Sequence, residues 1–174
     1  KDLYAQAIKA NPSFIDSYYN LGNLYRDIGE ISEAVATYKK TLTLDYGYKE
    51  AHFSLGELYL DAKDYQQAVF SFDQIIDMNP DDEDAYFEVI SAYNKALKES
   101  PRSEECLKAR QKAMNGFEGL VENRKPARAT SFFNLGYAYS EMGDLLRAVS
   151  AYQMALDIDS NHGKTLYNLG NIYR

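Results

Sequence analysis

The chain has 174 residues, of which 45% are hydrophobic and 26% are charged, and this composition excludes an intrinsically disordered segment. The formal charge of -7 makes general binding to nucleic acid phosphates unfavourable, so we expect no nucleic acid partner. No apolar run approaches the roughly 18 residues of a membrane span, and one cysteine and two histidines supply neither an internal disulfide nor a zinc cluster, so we expect no membrane span and no metal or other cofactor.

A seven-residue motif recurs along the chain. It reads Tyr-Asn-Leu-Gly-Asn-Leu-Tyr at 19–25, Phe-Ser-Leu-Gly-Glu-Leu-Tyr at 53–59, Phe-Asn-Leu-Gly-Tyr-Ala-Tyr at 133–139 and Tyr-Asn-Leu-Gly-Asn-Ile-Tyr at 167–173. The first two copies and the last two copies are each 34 residues apart. A weaker copy, Phe-Glu-Val-Ile-Ser-Ala-Tyr at 87–93, follows the second by 34 residues and precedes the next by 46, so one unit contains 12 additional residues.

The spacing of apolar residues predicts two helices in each unit. Leu21 and Leu24 of the motif and Ile28 just after it lie at helical spacing and define a helix A. After a break at Gly29, Lys63 or Gly143, apolar residues at i, i+4 and i+7 define a helix B; these are Ala34, Tyr38 and Thr41, then Ala68, Phe72 and Ile75, then Ala148, Tyr152 and Ala155. A glycine inside a helix costs about 1 kcal/mol relative to alanine, so a repeated glycine indicates that helices A and B cross closely. These glycines are Gly22, Gly56, Gly136 and Gly170.

In chain order, the pattern predicts one array over residues 1–174. It consists of a half repeat (helix B) at 1–14, repeats at 15–48 and 49–82, a repeat with the 12-residue insertion at 83–128, a repeat at 129–162 and a half repeat (helix A) at 163–174. The apolar pattern continues into both half repeats, which favours a portion of a longer array. The alternative is a head-to-tail homo-oligomer in which the two half repeats of different molecules complete one another.

The insertion lies between the two helices of the third repeat. Ser100 and Pro101 predict the N-cap and first residue of its helix B. Residues 102–128 carry seven basic and four acidic side chains, a net charge of +3. This segment is either a docking surface for an acidic partner or a solvated helix face with alternating charge. Cys106 has no neighbouring histidine in the sequence, so we expect a small packing residue and not a nucleophile.

The order of these residues resembles the tetratricopeptide repeat (TPR) family, in which an aromatic residue, Leu-Gly, Tyr, Ala and a second aromatic residue follow one another within 34 positions. The resemblance spans essentially the whole chain, although no copy contains the Trp of the family and the third has Val89-Ile90 in place of Leu-Gly. It implies an all-α fold, a right-handed superhelical solenoid of antiparallel helix hairpins with the A helices lining a concave surface. It also implies that the second, fifth, sixth, ninth, twelfth and thirteenth residues of each unit face that surface.

The residues at these positions define a predicted peptide-binding surface. The fifth residue is aromatic in every copy, and rigid rings can hold a peptide at a low entropy cost, although the same rings could serve only to pack adjacent A helices. The asparagines can donate and accept hydrogen bonds, and the carboxylates favour a basic segment. The predicted residues are Tyr19, Asn20, Asn23, Glu50, Phe53, Glu57, Asp61, Asp84, Phe87, Glu88, Phe133, Asn134, Tyr137, Lys164, Tyr167, Asn168 and Asn171.

We interpret the chain as a non-enzymatic scaffold that binds a peptide or protein segment. The sequence has no nucleophile beside a base, no glycine-rich phosphate loop and no zinc-spaced ligands, and His52 replaces an aromatic residue at the edge of the expected core. Two other interpretations are a targeting array of a larger enzyme, such as a glycosyltransferase, and a self-assembling structural array. No secretory or transit segment opens the sequence, so the compartment stays open, with the cytoplasm as the default.

Overall fold

The computed structural model describes residues 2–174, with side chains from residue 3 onward, and this part of the chain forms ten α-helices and no strand. The helices are α1 (Asp2–Ala10), α2 (Ile15–Asp27), α3 (Ile31–Leu44), α4 (Lys49–Asp61), α5 (Tyr65–Met78), α6 (Glu83–Glu99), α7 (Glu104–Asn123), α8 (Ala129–Glu141), α9 (Leu145–Ile158) and α10 (Gly163–Tyr173). The predicted all-α fold is therefore confirmed. Lys1, which belongs to the predicted first half repeat, lies outside the described residues. None of these ten helices is both long and apolar enough to cross a lipid bilayer.

The helices pack in consecutive pairs. The pairs α2 and α3, α4 and α5, α6 and α7, and α8 and α9 form the four hairpins. The first helix of each hairpin, and α10, is a helix A; α1 and the second helix of each hairpin are B helices. The A helices begin at Ile15, Lys49, Glu83, Ala129 and Gly163, which are the residues where the sequence pattern starts each unit.

The chain divides into two compact units. Unit 1 ends at Met78 and contains α1 to α5, and unit 2 comprises Asn79–Arg174 and contains α6 to α10. In unit 1, Ala34 and Tyr38 of α3 pack with Leu55 and Leu58 of α4. In unit 2, the largest side chains that are fully buried are Ile90, Tyr93, Met114, Phe117, Val121, Tyr139 and Tyr152, together with Val89. Each unit thus has apolar side chains from both A and B helices in its interior.

Three of the four repeated glycines permit a close contact between helices A and B. A Cβ atom added at Gly22, Gly56 or Gly136 would lie 2.6, 2.5 or 2.6 Å from the ring of Tyr38, Phe72 or Tyr152, respectively. The predicted close crossing is therefore confirmed at these three positions. Gly170 differs, because a Cβ atom there would have no neighbour within 4 Å.

The third hairpin has the same close contact between a glycine and an aromatic ring, but each comes from the other helix. Ile90 occupies the position of the repeated glycine in α6, and the glycine is instead Gly116 in α7. A Cβ atom at Gly116 would lie 2.7 Å from the ring of Tyr86, which stacks on Phe117 with centroids 6.2 Å apart and planes at 7°. The ring therefore comes from helix A and the glycine from helix B in this hairpin.

The insertion lengthens both helices of the third hairpin. The helices α6 and α7 have 17 and 20 residues, compared with 13 and 14 in the other hairpins. The predicted N-cap at Ser100 is wrong. The Ser100 N–H still donates to Ala96 O at 2.9 Å, which makes Ser100 the C-cap of α6, and the Ser103 hydroxyl caps α7 by accepting from the Cys106 N–H.

Lys63 has a backbone conformation that favours glycine. It lies in the turn after α4 with φ of 59°, whereas the equivalent residues after α2 and α8 are Gly29 and Gly143, with φ of 78° and 80°. A side chain in this left-handed region costs about 1 kcal/mol or more. We expect Lys63→Gly to raise the free energy of unfolding by about 0.5–1 kcal/mol, measured by urea denaturation. Lys63→Ala removes the same charge and keeps the Cβ atom, so an equal gain in this control would contradict the role of the backbone.

Candidate functional site

One face of α2 and α4 carries most of the predicted binding residues of unit 1. Glu57 and Asp61 follow Glu50 by seven and eleven residues, close to two and three helical turns. The three carboxylates therefore lie in one line along α4 over about 17 Å. Phe53 lies one turn from Glu50 beside this line. The equivalent residues of α2 complete the surface that we call the A-face of unit 1, which comprises Asp16, Tyr19, Asn20, Asn23, Asp27, Glu50, Phe53, Glu57 and Asp61.

The carboxylates of the A-face of unit 1 outnumber the cations near them. Arg26 contacts two of them, with Nη1 at 4.0 Å from Glu57 Oε2 and Nε at 3.6 Å from Asp27 Oδ1. These pairs are half-exposed, so each contributes little to stability. Glu50 and Asp61 are exposed, and neither forms an ion pair with a lysine or arginine of residues 3–174. Two carboxylates of this surface are thus available to an external cation.

Tyr48 adds a hydroxyl and a ring to the same surface. Its hydroxyl donates to Asp16 Oδ1 at 3.0 Å, and its ring lies 5.1 Å from the ring of Tyr19. Burial, followed by the hydrogen bond to Asp16 and the charges of Asp16 and Glu50, raises the pKa of Tyr48 to about 12. The phenol therefore stays neutral and acts as a donor.

The aromatic residues at the fifth position of unit 1 pack against B helices and remain half-buried. The Tyr19 ring lies 5.8 Å from that of Tyr38 in α3, and the Phe53 ring lies 5.5 Å from that of Phe72 in α5 at an angle of 62°. The sequence left packing and binding open as alternatives for these rings. In the structure the packing contact leaves part of each ring exposed to solvent.

The predicted asparagines have different environments. Asn23 Oδ1 accepts a 2.7 Å hydrogen bond from the hydroxyl of Tyr38, and burial raises the pKa of that tyrosine. In unit 2, Asn168 Nδ2 donates to the hydroxyl of Tyr152 at 3.3 Å. Asn20 is exposed. Asn23 and Asn168 therefore orient buried tyrosines, whereas Asn20 remains available to a ligand.

The corresponding surface of unit 2 has mixed charge and more aromatic area. We call this surface the A-face of unit 2; it comprises Asp84, Phe87, Glu88, Phe133, Asn134, Tyr137, Lys164, Tyr167, Asn168 and Asn171. The Tyr137 ring lies 5.9 Å from that of Phe87 in α6 and 6.4 Å from that of Phe133 in its own helix. Asp84 and Glu88 are exposed on α6, and Lys164 is exposed on α10. The strongly acidic character is thus a property of unit 1.

A cavity of about 390 Å³ opens on the A-face of unit 2. It is lined by Phe133 of α8 and by Gly163, Lys164, Tyr167 and Asn168 of α10. Tyr167 is 71% exposed, although the fifth-position rings Phe87 and Phe133 are half-buried. Four residues that the sequence predicts as binding residues therefore share one cavity.

At least three of the seven basic side chains in residues 102–128 have polar partners. Arg124 forms an ion pair with Glu83, Lys108 Nζ lies 3.3 Å from Glu104 Oε2, and Arg110 Nη1 donates to Asn94 Oδ1 at 2.8 Å. These contacts favour a helix face with alternating charge over a docking surface for an acidic partner.

Cys106 and His52, whose side chains are of types that can serve in catalysis, are buried packing residues. Cys106 is fully buried, and burial raises the pKa of its thiol. No group of three or more His, Cys, Asp or Glu side chains in the described part of the chain could hold a metal ion. His52 lies inside the core of unit 1, where Nε2 donates to Tyr46 O at 2.9 Å and the ring meets that of Tyr46 edge-on.

The buried His52 predicts a pH dependence of stability. Burial lowers its pKa in the folded state below the value of about 6.5 in the unfolded chain. As the pH falls below 6.5, the unfolded state binds the proton first, so stability is present above this pH and decreases below it, by at most about 1.4 kcal/mol per pH unit. We expect His52→Phe, which matches Phe132 at the equivalent position, to reduce the slope in urea denaturation between about pH 5.5 and 7.5. His162→Gln leaves His52 intact and should keep the slope; equal slopes in all three proteins would contradict this assignment.

Sequence reasoning missed two residues, Arg26 and Tyr48, that contact the A-face of unit 1. Arg26 occupies the twelfth position of its repeat, which the family pattern assigns to this surface, so the signal was present in the sequence. Tyr48 is the last residue before α4, outside the positions that the pattern considers. Its contribution depends on the turn between α3 and α4, where Tyr48 N–H donates to Asp45 O at 3.3 Å.

The comparisons with known proteins agree with this architecture. Two sequence models of the tetratricopeptide repeat match the chain, one over residues 1–48 and again over 19–83, and the other over 102–161. The chain belongs to the tetratricopeptide repeat family. TPR domains are generally non-catalytic modules of protein interaction, and this TPR chain is accordingly a protein-interaction scaffold with a protein or peptide partner.

Several solved structures share the TPR fold of this chain. The crystal structure of MamA is 25% identical in sequence, covers 92% of this chain and 87% of its own, and has a TM-score of 0.59. The 41-end fragment of MamA from Desulfovibrio magneticus RS-1 is 24% identical over 91% of this chain and 82% of its own, with a TM-score of 0.53. PilW, a widely conserved type IV pilus biogenesis factor, is 18% identical over 91% of this chain and 68% of its own, with a TM-score of 0.54. The comparison with curated proteins found no match.

Proposed function

We propose that this TPR chain is a non-enzymatic scaffold that binds a basic segment of a partner protein on the A-face of unit 1. The observation that carries the proposal is the line of Glu50, Glu57 and Asp61 along α4, in which Glu50 and Asp61 have no cationic partner among the described residues. Cations of a bound segment would take positions that no side chain of the protein fills.

The geometry of this line supports an extended or helical segment. The outer carboxylates are about 17 Å apart along the helix axis, a distance that a segment of several residues can span. The exposed part of the Phe53 ring lies beside the carboxylates and supports an apolar or cation–π contact with the same segment. Asn20 offers an amide that can pair with a peptide backbone.

Selection from a displayed library of random short peptides tests the proposal. We expect the peptides enriched on the full chain to carry a net positive charge together with an apolar residue. Affinity for the best of these peptides should fall about tenfold in the double variant Glu50→Gln/Asp61→Asn, because each exposed pair contributes up to about 1 kcal/mol. Isothermal titration calorimetry provides the measurement.

The matched control is Glu33→Gln/Asp77→Asn. It makes the same change of charge in unit 1, with exposed carboxylates on the B helices α3 and α5. We expect this control to bind the peptide as the parent does. Enrichment of peptides without a net positive charge, or an equal loss of affinity in both double variants, would contradict the proposal.

A further inference from the structure

We propose that the cavity between α8 and α10 is an anchoring pocket for one aromatic side chain of the bound partner. The inference rests on the proposed function in one respect, because it assumes that the chain binds a protein segment. It adds a second chemical requirement for the partner, at a site formed by residues of unit 2 alone.

The size and the lining of the cavity suit a single planar side chain. Its volume of about 390 Å³ lies near the lower end of the range of roughly 300–1,000 Å³ for pockets that hold small ligands. The rings of Phe133 and Tyr167 supply its aromatic surface, and Lys164 and Asn168 supply its polar groups. This combination of aromatic walls with a few polar groups is typical of a recognition pocket.

The neighbouring part of the A-face of unit 2 shows which side chain fits between such rings. Phe87 and Phe133 occupy the fifth positions of α6 and α8, and the ring of Tyr137 lies within 5.9 Å and 6.4 Å of their centroids. Tyr137 is four residues after Phe133. The residue four positions after Tyr167 is Asn171, which is exposed and has no ring. The cavity thus lies where a ring at the ninth position, such as Tyr137 in the preceding repeat, is absent.

The polar groups of the cavity favour an aromatic ring over an aliphatic side chain. Aromatic rings attract one another through offset or edge-to-face contacts worth about 0.5–1.5 kcal/mol beyond area burial, and the Lys164 ammonium adds a cation–π contact that an aliphatic chain cannot make. The Nδ2 of Asn168 donates a hydrogen bond to the hydroxyl of Tyr152. The Oδ1 of Asn168 is the acceptor atom of the same amide and can accept a hydrogen bond from a phenol hydroxyl.

The test titrates N-acetyl-tyrosinamide and N-acetyl-leucinamide into the full chain and follows the backbone amide resonances of Gly163 and Lys164 and the side-chain amide of Asn168 by NMR. We expect saturable shifts with the tyrosine probe and at least fivefold weaker binding of the leucine probe. Asn171→Tyr supplies the missing ring from the chain itself, so we expect it to weaken binding of the tyrosine probe at least tenfold.

Gln153→Tyr is the matched control, because it adds the same side chain at an exposed position of α9 that is not among the residues lining the cavity. It should bind the tyrosine probe as the parent does. The inference is overturned if the three amides show no saturable shift, if both probes bind equally, or if Asn171→Tyr binds like Gln153→Tyr.

The outcome is distinguishable from failure of the proposed function. If library peptides bind and depend on Glu50 and Asp61 while the tyrosine probe does not bind, only the pocket is refuted. If the probe binds and no basic peptide is enriched, the pocket stands and the proposed function is refuted.

Discussion

Phe72→Ala is expected to lower the free energy of unfolding by about 3–5 kcal/mol, the largest effect of any substitution considered for this chain. The ring of Phe72 is fully buried in α5 and meets the ring of Phe53 at 5.5 Å. It also fills the space left by Gly56, whose added Cβ would lie 2.5 Å from it. Alanine would leave a cavity between α4 and α5, because the glycine opposite has no side chain that could fill it.

Phe70→Ala is the control for this prediction. Phe70 lies two residues earlier on the same helix and is 55% exposed. Its replacement should change the free energy of unfolding by no more than about 0.5 kcal/mol, as is usual for surface positions. Urea denaturation followed by circular dichroism compares the two variants, and effects of similar size would show that α5 does not direct Phe72 into the interior of unit 1 and Phe70 to solvent.

Gly136→Ala is expected to destabilise the protein by about 1–2 kcal/mol despite the better helix propensity of alanine. The propensity gain is about 1 kcal/mol. This gain is opposed by a steric clash, because the added Cβ atom would lie 2.6 Å from Cδ1 of Tyr152 and 3.2 Å from the backbone oxygen of Ala148. Tyr152 is fully buried, so its ring cannot turn away and α8 and α9 must separate, at a cost near 3 kcal/mol, the upper end of the range for overpacking.

Gly170→Ala tests the same position of the repeat without the clash. A Cβ atom at Gly170 meets nothing within 4 Å, so only the propensity gain remains and stability should rise by up to about 1 kcal/mol. Thermal or urea unfolding of both variants gives the difference directly. If Gly136→Ala were as stable as the parent, the contact between Tyr152 and α8 would not explain the glycine at position 136.

The sequence was sufficient to predict the helices and their pairing. The apolar spacing of each unit has a period of 3.6 residues, which indicates helices independently of any partner, and the repeated Leu-Gly pair marks the side of helix A that meets a ring of helix B. The starts of the A helices follow from the repeat, because the turns before α2, α4, α6 and α10 each contain four residues and the turn before α8 contains five. These features are local or strictly periodic, and such features can be predicted from sequence.

Where the period is broken, the sequence was not sufficient. The residue that caps α7 is Ser103, and both Ser100 and Ser103 satisfy the preference for serine at an N-cap, so the choice depends on where α6 ends. The contact between Gly116 of helix B and Tyr86 of helix A could not be predicted either, because the sequence pattern places the glycine in helix A. Both depend on contacts between α6 and α7.

For the candidate site, the sequence predicted positions and residue types but not their remaining hydrogen-bonding capacity. Asn23 and Asn20 are equally plausible ligand residues in the sequence. In the structure, Asn23 Oδ1 accepts a hydrogen bond from the hydroxyl of Tyr38, whereas Asn20 is exposed. The cavity beside Tyr167 likewise depends on the spacing of α8 and α10, which no residue pattern specifies. Partners of this kind are set by tertiary packing.

The most direct test of the central claim is the salt dependence of peptide binding. The Kd of the enriched basic peptide is measured for the parent, for Glu50→Gln/Asp61→Asn and for Glu33→Gln/Asp77→Asn at low and at high ionic strength. Pairing with exposed carboxylates is screened by salt, so the parent and the B-helix variant should weaken steeply and together, whereas Glu50→Gln/Asp61→Asn should start weaker and change little. Parallel curves for all three proteins would contradict recognition of a basic segment by the A-face of unit 1.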